Sequence, residues 1–194
     1  NMEYDKMEKD VRMKIVQLIK GFGKSIFSKH FLQTNDDLQK LQHFVSTWKQ
    51  VQYKANTIIT KEGKKIDRLI LIVRGDCRSL KRYKTTGKTK LLEVDQFGRN
   101  DLAAGIMEVT NGARKNTPLY KLKYESSLIT KKSMCEVYEI PADEFYKLCV
   151  HPKYTKNILN FCKQYFTVAW NTEQNNVKHL DEYNEWMKER SYIC

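Results

Sequence analysis

The sequence lacks any pair of cysteines or histidines at the spacing of a metal site. Its cysteines are odd in number, include no Cys-x-x-Cys, and stand at Cys77, Cys135, Cys149, Cys162 and Cys194. The 4 histidines are equally dispersed. This pattern predicts reduced thiols in a cytoplasmic protein, and it favours neither a zinc site nor a disulfide framework.

Long apolar runs are also missing. No stretch of about 18 apolar residues occurs, so the sequence predicts no membrane-spanning helix, and no signal peptide is recognisable. The start at Asn1 and Met2 leads us to expect a piece of a longer protein.

Catalytic motifs are absent as well. The sequence contains no Gly-x-Ser-x-Gly, no P-loop and no paired carboxylates beside a histidine. We therefore expect a protein that is not an enzyme. Residues 171–194 are too short and too acidic for a helix-turn-helix, which argues against sequence-specific binding of nucleic acid.

Acidic residues are few relative to basic ones. Lys and Arg number 35 against 23 Asp and Glu, which gives a net charge of +12. A charge of this sign favours acidic partners, whether nucleic acid, anionic lipid or an acidic protein surface. A hydrophobic fraction of 41% over 194 residues predicts one domain with a real core and helical extensions.

The most apolar run of the sequence lies between two glycine turns. Residues 57–60 are β-branched or aliphatic, residues 69–73 are aliphatic, and Gly63 and Gly75 follow the two segments. Glycine permits the positive φ of a tight turn, so the pattern predicts a buried pair of strands. The pattern alone fits any antiparallel sandwich equally well.

The order of residues in this stretch is more specific than the pattern. It resembles the opening strands of the cyclic-nucleotide-binding domain, through Glu62, Gly63, Asp67, residues 69–72 and Gly75. Residues 143–146 resemble the Asp-Glu-Phe helix that closes that domain. The resemblance implies a mainly β fold, an antiparallel β jelly-roll barrel at residues 53–140, with an N-terminal helical lead-in at 1–52 and C-terminal helices at 141–194.

Apolar spacing predicts helices on both sides of the strands. One spans about residues 5–20, and a second follows a candidate N-cap at Thr34, with its buried face at Leu38, Leu41, Val45 and Trp48. A short helix begins near Pro141, and a longer one reaches Trp170. Residues 171–176 are polar and poor in helix formers, so we expect a hinge there.

A basic hairpin follows the predicted strand pair. Its cations surround a turn at residues 85–88 and are Arg78, Lys81, Arg82, Lys84, Lys88 and Lys90. Such a hairpin is most often a solvated edge that resists edge-to-edge pairing, and the alternative is a surface for a phosphate or an acidic partner. We expect it to be exposed and to bind polyanions weakly through charge alone, with a steep dependence on salt.

The resemblance also implies a phosphate-binding cassette between two late strands. In the family, backbone N–H groups and an arginine hold the cyclic phosphate, and the glutamate of a Gly-Glu pair holds the ribose. If Phe97-Gly98 is the family's Phe-Gly, Arg99 stands at the glutamate position. If Gly98 is instead the turn glycine upstream, Ala103-Ala104 replaces Gly-Glu. Neither alignment supplies the carboxylate.

The far end of the cassette resembles the family more closely. Residues 125–141 match its Arg-x-Ala-Ser strand and closing strand, which places Tyr124 at the arginine position. The segment before Tyr124 is longer than usual and contains the turn-forming Asn111-Gly112 and residues 116–118. Arg99 or Arg114 is then the remaining candidate cation. The candidate ligand-binding residues are Gly98, Arg99, Ala103, Ala104, Arg114, Tyr124, Ser126 and Ser127.

The resemblance and its missing side chains together imply a function. We expect a non-catalytic regulatory or scaffold module of the eukaryotic type, with a degenerate cassette, weak or lost binding of cAMP and cGMP, and contacts to a protein partner. The alternative is a functional sensor of cAMP, cGMP or a related purine nucleoside in a kinase regulator, channel or exchange factor. No other cofactor is expected.

Overall fold

The computed structural model describes residues 8–15, 35–85, 87–156, 158, 167 and 170–178. The strands are β1 Lys49–Tyr53, β2 Ile58–Thr60, β3 Arg68–Arg74, β4 Cys77–Thr85, β5 Lys88–Phe97, β6 Leu102–Ala104, β7 Ser127–Thr130 and β8 Cys135–Pro141. They form two 4-stranded antiparallel sheets, ordered β1-β8-β3-β6 and β2-β7-β4-β5. This confirms the predicted antiparallel jelly roll with flanking helices. The division of the chain at residues 52 and 140 stays a prediction.

Strand β3 of the first sheet is buried on both faces. Leu69 and Leu71 of β3 pack into a core shared with the helices, whereas Ile70 and Ile72 pack into a second core between the two sheets. All four side chains are fully buried. Because alternate residues of a strand point to opposite faces, a strand between two cores needs an apolar residue at every position. The unbroken aliphatic run of the sequence has this cause.

Helices cover the outer side of the first sheet. They are α1 Asn35–Ser46, α2 Ile106–Arg114 and α3 Ala142–Val150, with a 3-10 turn at Leu119–Lys121, and residues 9–15 and 170–178 are helical too. Leu41 and Val45 are buried, as their spacing predicts, but Trp48 follows α1 instead of belonging to it. Thr34, and residues 5–7 and 16–20 of the first predicted helix, lie outside the described residues. No described helix is long and apolar enough to cross a membrane.

Helix α2 occupies a segment where the sequence indicates a turn. Asn111 and Gly112 lie inside the helix, so the turn predicted from them is wrong. Val109 and Ala113 are buried and hold the helix on the core. Gly112 packs closely on Leu122, since a Cβ there would lie 2.5 Å from Cδ1 of Leu122 and would require that side chain to move. Tertiary contact therefore overrides the local turn preference.

Candidate functional site

A small cavity lies where α2 follows β6. Gly105 adopts a φ of 83° between the end of β6 and the first residue of α2, Ile106. The cavity is lined by β4, β5, β6, the start of α2, residues 124–126 and Glu173. Its volume is about 70 Å³. Ligand pockets typically measure about 300–1,000 Å³, so this cavity is small for a nucleotide.

Half of the candidate residues meet at this cavity. Ala103 and Ala104 line it from β6, and Tyr124 and Ser126 line it from the segment that precedes β7. The hydroxyl of Ser126 lies 2.6 Å from that of Ser79 in β4. These two hydroxyls supply hydrogen-bonding capacity but no charge.

The other four candidates lie elsewhere. Arg99 is exposed, and Arg114 is exposed at the far end of α2, where Nη2 donates to Oδ1 of Asn111 at 3.0 Å. The N–H of Gly98 donates to Asp101 Oδ2 at 2.8 Å, within a tight turn. The hydroxyl of Ser127 accepts from the N–H of Glu62 at 2.9 Å. Neither arginine lines the cavity.

Tyr124, which the resemblance places at the arginine position, is a structural residue. Its ring is buried, and its hydroxyl lies 2.6 Å from the Arg68 carbonyl oxygen and 2.9 Å from Asp67 Oδ1. The N–H of Arg68 donates to the same hydroxyl at 3.2 Å. Burial raises the pKa of Tyr124, and the hydrogen bond to Asp67 raises it further. The phenol is therefore neutral and ties its segment to the start of β3.

Replacing Tyr124 by phenylalanine is expected to cost about 1–3 kcal/mol of unfolding free energy, because buried polar groups at Arg68 lose their partner. Urea denaturation at neutral pH measures this loss. Tyr120, which is 66% exposed, provides the control, and Tyr120→Phe should change stability by less than about 0.5 kcal/mol. Equal losses at the two positions would show that the buried hydroxyl has no structural role.

The described cation at the cavity is already neutralised within the chain. Nζ of Lys81 lies 2.8 Å from Oε1 of Glu173, and the hydroxyl of Tyr83 donates to the same oxygen.

A second contact joins the same helical segment to the sheet, since the amide of Asn176 donates to the carbonyl oxygen of Val94 at 2.9 Å. Residues 170–178 thus form a helix docked across β4 and β5, and the hinge predicted at 171–176 is wrong. Asn175 and Asn176 are weak helix formers, but the contacts of Glu173 and Asn176 with the sheet stabilise this helix.

Val94 is accessible to Asn176 because of an irregularity in the sheet. Ser79 pairs with Asp95 and Leu80 pairs with Glu93, so Val94 has no partner in β4. This arrangement is a β-bulge, in which one residue of a strand is left out of the ladder.

Carboxylates dominate the cavity wall. Among the described residues, the charged groups that line it are one lysine, Lys81, and the acids Asp95, Glu108, Glu125 and Glu173. Oε1 of Glu108 accepts from the N–H of Glu125 at 3.4 Å, whereas Oε2 is buried with no hydrogen-bond partner in the described part of the chain. Burial raises the pKa of Glu108 from 4.5 to about 7, and the carboxylate of Glu125 adds to the rise. Burial also raises the pKa of Asp95.

Sequence reasoning assigned Lys81 to the basic hairpin and not to the site, and it did not identify Glu108 or Glu173. A detectable signal existed for Glu108, which follows two apolar residues at the start of a helix whose next residue, Val109, is buried. None existed for Glu173, which meets Lys81 across a separation of 92 residues. The assembled site can accept hydrogen bonds and can attract a cation, but it opposes an anion. The described residues contain no cluster of acids, histidines or cysteines able to hold a metal ion.

No protein-family model matches the sequence, and no curated protein matches it. Solved structures do resemble the fold. The regulator CLP of Xanthomonas campestris, described as c-di-GMP responsive, gives a TM-score of 0.54 at 13% identity, over 74% of this chain and 64% of that one. The regulatory domain of Toxoplasma gondii PKA, solved with cAMP, gives 0.53 at 14% identity, over 84% and 54%. The regulatory subunit of a cAMP-independent protein kinase A from Trypanosoma brucei gives 0.50 at 15% identity, over 91% and 52%.

Identities this low show the fold alone. The chain has the fold of cyclic-nucleotide-binding regulators, with two antiparallel sheets and flanking helices. It spans only 52% to 64% of the length of these three proteins.

Proposed function

We propose that this chain is a non-catalytic regulatory or scaffold module of the eukaryotic type, whose degenerate cassette does not hold cAMP or cGMP. It acts in the cytoplasm through contacts with a protein partner. The observation that carries this proposal is the charge of the cavity. Its lysine, Lys81, is paired with Glu173, and three further acids line the wall.

A cyclic phosphate meets two obstacles in this cavity. It must displace Glu173 from Lys81, and it must then lie beside the carboxylate of Glu125 and the partly ionised carboxyl of Glu108, without an arginine to neutralise it. Two like charges 4 Å apart repel by about 4 kcal/mol at the effective dielectric constant of a protein surface. Each missing bond to a charged partner removes a further 1.5–3 kcal/mol, by the usual order of magnitude. These terms are together large enough to abolish micromolar affinity.

The alternative is a sensor for a purine nucleoside without a phosphate. The unpaired Oε2 of Glu108 and the hydroxyls of Ser79 and Ser126 favour it, because they suit a neutral ligand rich in donors. The small volume of the cavity opposes it, since ligand pockets typically measure about 300–1,000 Å³.

Titration calorimetry with cAMP, cGMP, adenosine and inosine tests the proposal on the purified chain. We expect no saturable binding of either cyclic nucleotide at concentrations up to about 1 mM, a limit near −4 kcal/mol of binding free energy. Saturable binding of cAMP or cGMP in the low micromolar range, lost in Lys81→Met and kept in the control Lys147→Met, would overturn it. Binding of a nucleoside but of no cyclic nucleotide would establish the alternative.

A further inference from the structure

Strand β4 presents a different set of residues on each of its faces. The odd-numbered residues face the interior: Cys77 and Ser79 are buried, and Lys81 contacts Glu173. Successive side chains of a strand point to opposite sides of the sheet. Residues 78, 80, 82 and 84 therefore lie on the outer face of the second sheet, away from the cassette cavity.

An apolar groove of about 210 Å³ crosses this outer face. Ile58 and Leu91 line it and are 55% and 58% exposed, and Leu80 and Ile129 complete its floor. The strand register brings these side chains together, since Ile58 pairs with Ile129 and Leu91 pairs with Arg82. Neighbouring aliphatic side chains that stay in water are stabilised when a partner covers them.

Unpaired cations border the groove. Lys61 and Arg82 line it directly, and Arg78 and Lys132 line an adjoining hollow of about 500 Å³. In the described part of the chain, the side chains of these four residues form no ion pair or hydrogen bond, and Nε of Arg78 is buried without a partner. The hollow also carries Asp76 and Glu93. Basic groups remain in excess on this face, and Arg78 and Arg82 lie on either side of Leu80 along β4.

We propose that the groove docks an acidic segment of a protein partner, with aliphatic side chains at its centre and Asp or Glu at its ends. This inference names the kind of partner that the proposed scaffold role requires, and it rests on that role. The cations beside the groove would bind Asp or Glu at the ends of the segment. The exposed side chains of Ile58 and Leu91 would pack against aliphatic residues at its centre. A nucleic acid would leave these two side chains uncovered, and the described residues that line the groove include no aromatic ring on which it could stack.

Selection from a random 12-residue peptide library displayed on phage tests this docking surface. The full chain serves as bait, and the enriched peptides are then synthesised and titrated by fluorescence anisotropy. The test variants are Leu91→Ser and Arg78→Gln. The controls are Tyr120→Ser, which removes an equally exposed hydrophobic side chain elsewhere, and Lys147→Gln on α3. Circular dichroism melting verifies that every variant folds.

We expect enriched peptides that combine Asp or Glu with Leu, Ile or Val. Their binding should weaken at least tenfold in each test variant and stay within twofold in the controls. No enrichment, enriched peptides without carboxylates, or equal binding by Leu91→Ser would overturn the proposal. Tighter binding of single-stranded RNA, unaffected by Leu91→Ser, would assign the surface to nucleic acid and overturn it as well. Because both variants lie away from the cassette, these results are independent of the nucleotide titrations that test the proposed function.

Discussion

Replacing Glu108 by glutamine is expected to stabilise the folded protein by about 3 kcal/mol at pH 8.5 and by less than about 1 kcal/mol at pH 5. The reason is that burial raises the pKa of Glu108 from 4.5 to about 7 in the folded state. Between these two values the folded state holds a proton that the unfolded state has lost, so the wild-type protein loses stability as the pH rises from 4.5 to 7. Above pH 7 the wild-type protein bears the full free-energy cost of burying the ionised carboxylate of Glu108. Glutamine resembles the protonated acid and carries no such cost.

Urea denaturation of both proteins at the two pH values measures this effect. The matched control is Glu8→Gln, which neutralises an exposed carboxylate and should change stability by less than about 0.5 kcal/mol at either pH. A difference between Glu108→Gln and wild type that is the same at pH 5 and pH 8.5 would show that the carboxyl of Glu108 ionises as it does in water.

Replacing Gly75 by alanine is expected to destabilise the protein by about 3 kcal/mol. Gly75 has a φ of 94°, and a Cβ there would lie 2.7 Å from the carbonyl oxygen of Met134 and 3.0 Å from Cα of Cys135. The positive φ alone costs a residue with a side chain about 1–2 kcal/mol. A clash with backbone atoms adds about 1–3 kcal/mol, because backbone cannot turn aside as a side chain does.

A substitution at Gly63 measures the cost of the positive φ without the cost of a clash. Its φ is 80°, yet no atom lies within 4 Å of the position of a Cβ. Gly63→Ala should therefore show only the conformational cost of about 1–2 kcal/mol. Urea denaturation of the two variants gives the comparison. If both lose the same stability, the close approach of Met134 is not a constraint on residue 75.

The parts of the fold that follow from local chemistry were predictable. The strand around residues 69–72 was predictable from the sequence, because burial on both faces requires an unbroken aliphatic run. The helix across Asn111 and Gly112 was not predictable, because burial of Val109 and Ala113 against the distant core stabilises it. The helix at residues 170–178 escaped prediction for the same reason, since Glu173 and Asn176 bind residues of β4 and β5 that are distant in sequence.

The candidate site was predictable only where it resembles a known cassette. That resemblance located Ala103, Ala104, Tyr124 and Ser126 at the cavity. The resemblance also predicted cations that could bind a phosphate, and it gave no indication of the acids on the cavity wall. Glu108 and Glu173 reach the cavity from two helices that the sequence indicated as a turn and a hinge. An error in secondary structure thus became an error in the chemistry of the site.

The bulge in β5 has a consequence for how the chain tolerates change. Asn176 binds the backbone carbonyl of Val94, and not its side chain, so most substitutions at Val94 leave this acceptor in place. Deleting one residue there is a different matter. Deleting Val94 closes the ladder, with Glu93 and Asp95 still opposite Leu80 and Ser79, and removes the carbonyl to which Asn176 donates. The anchor of the last described helix is therefore insensitive to the identity of one residue and sensitive to the length of one strand.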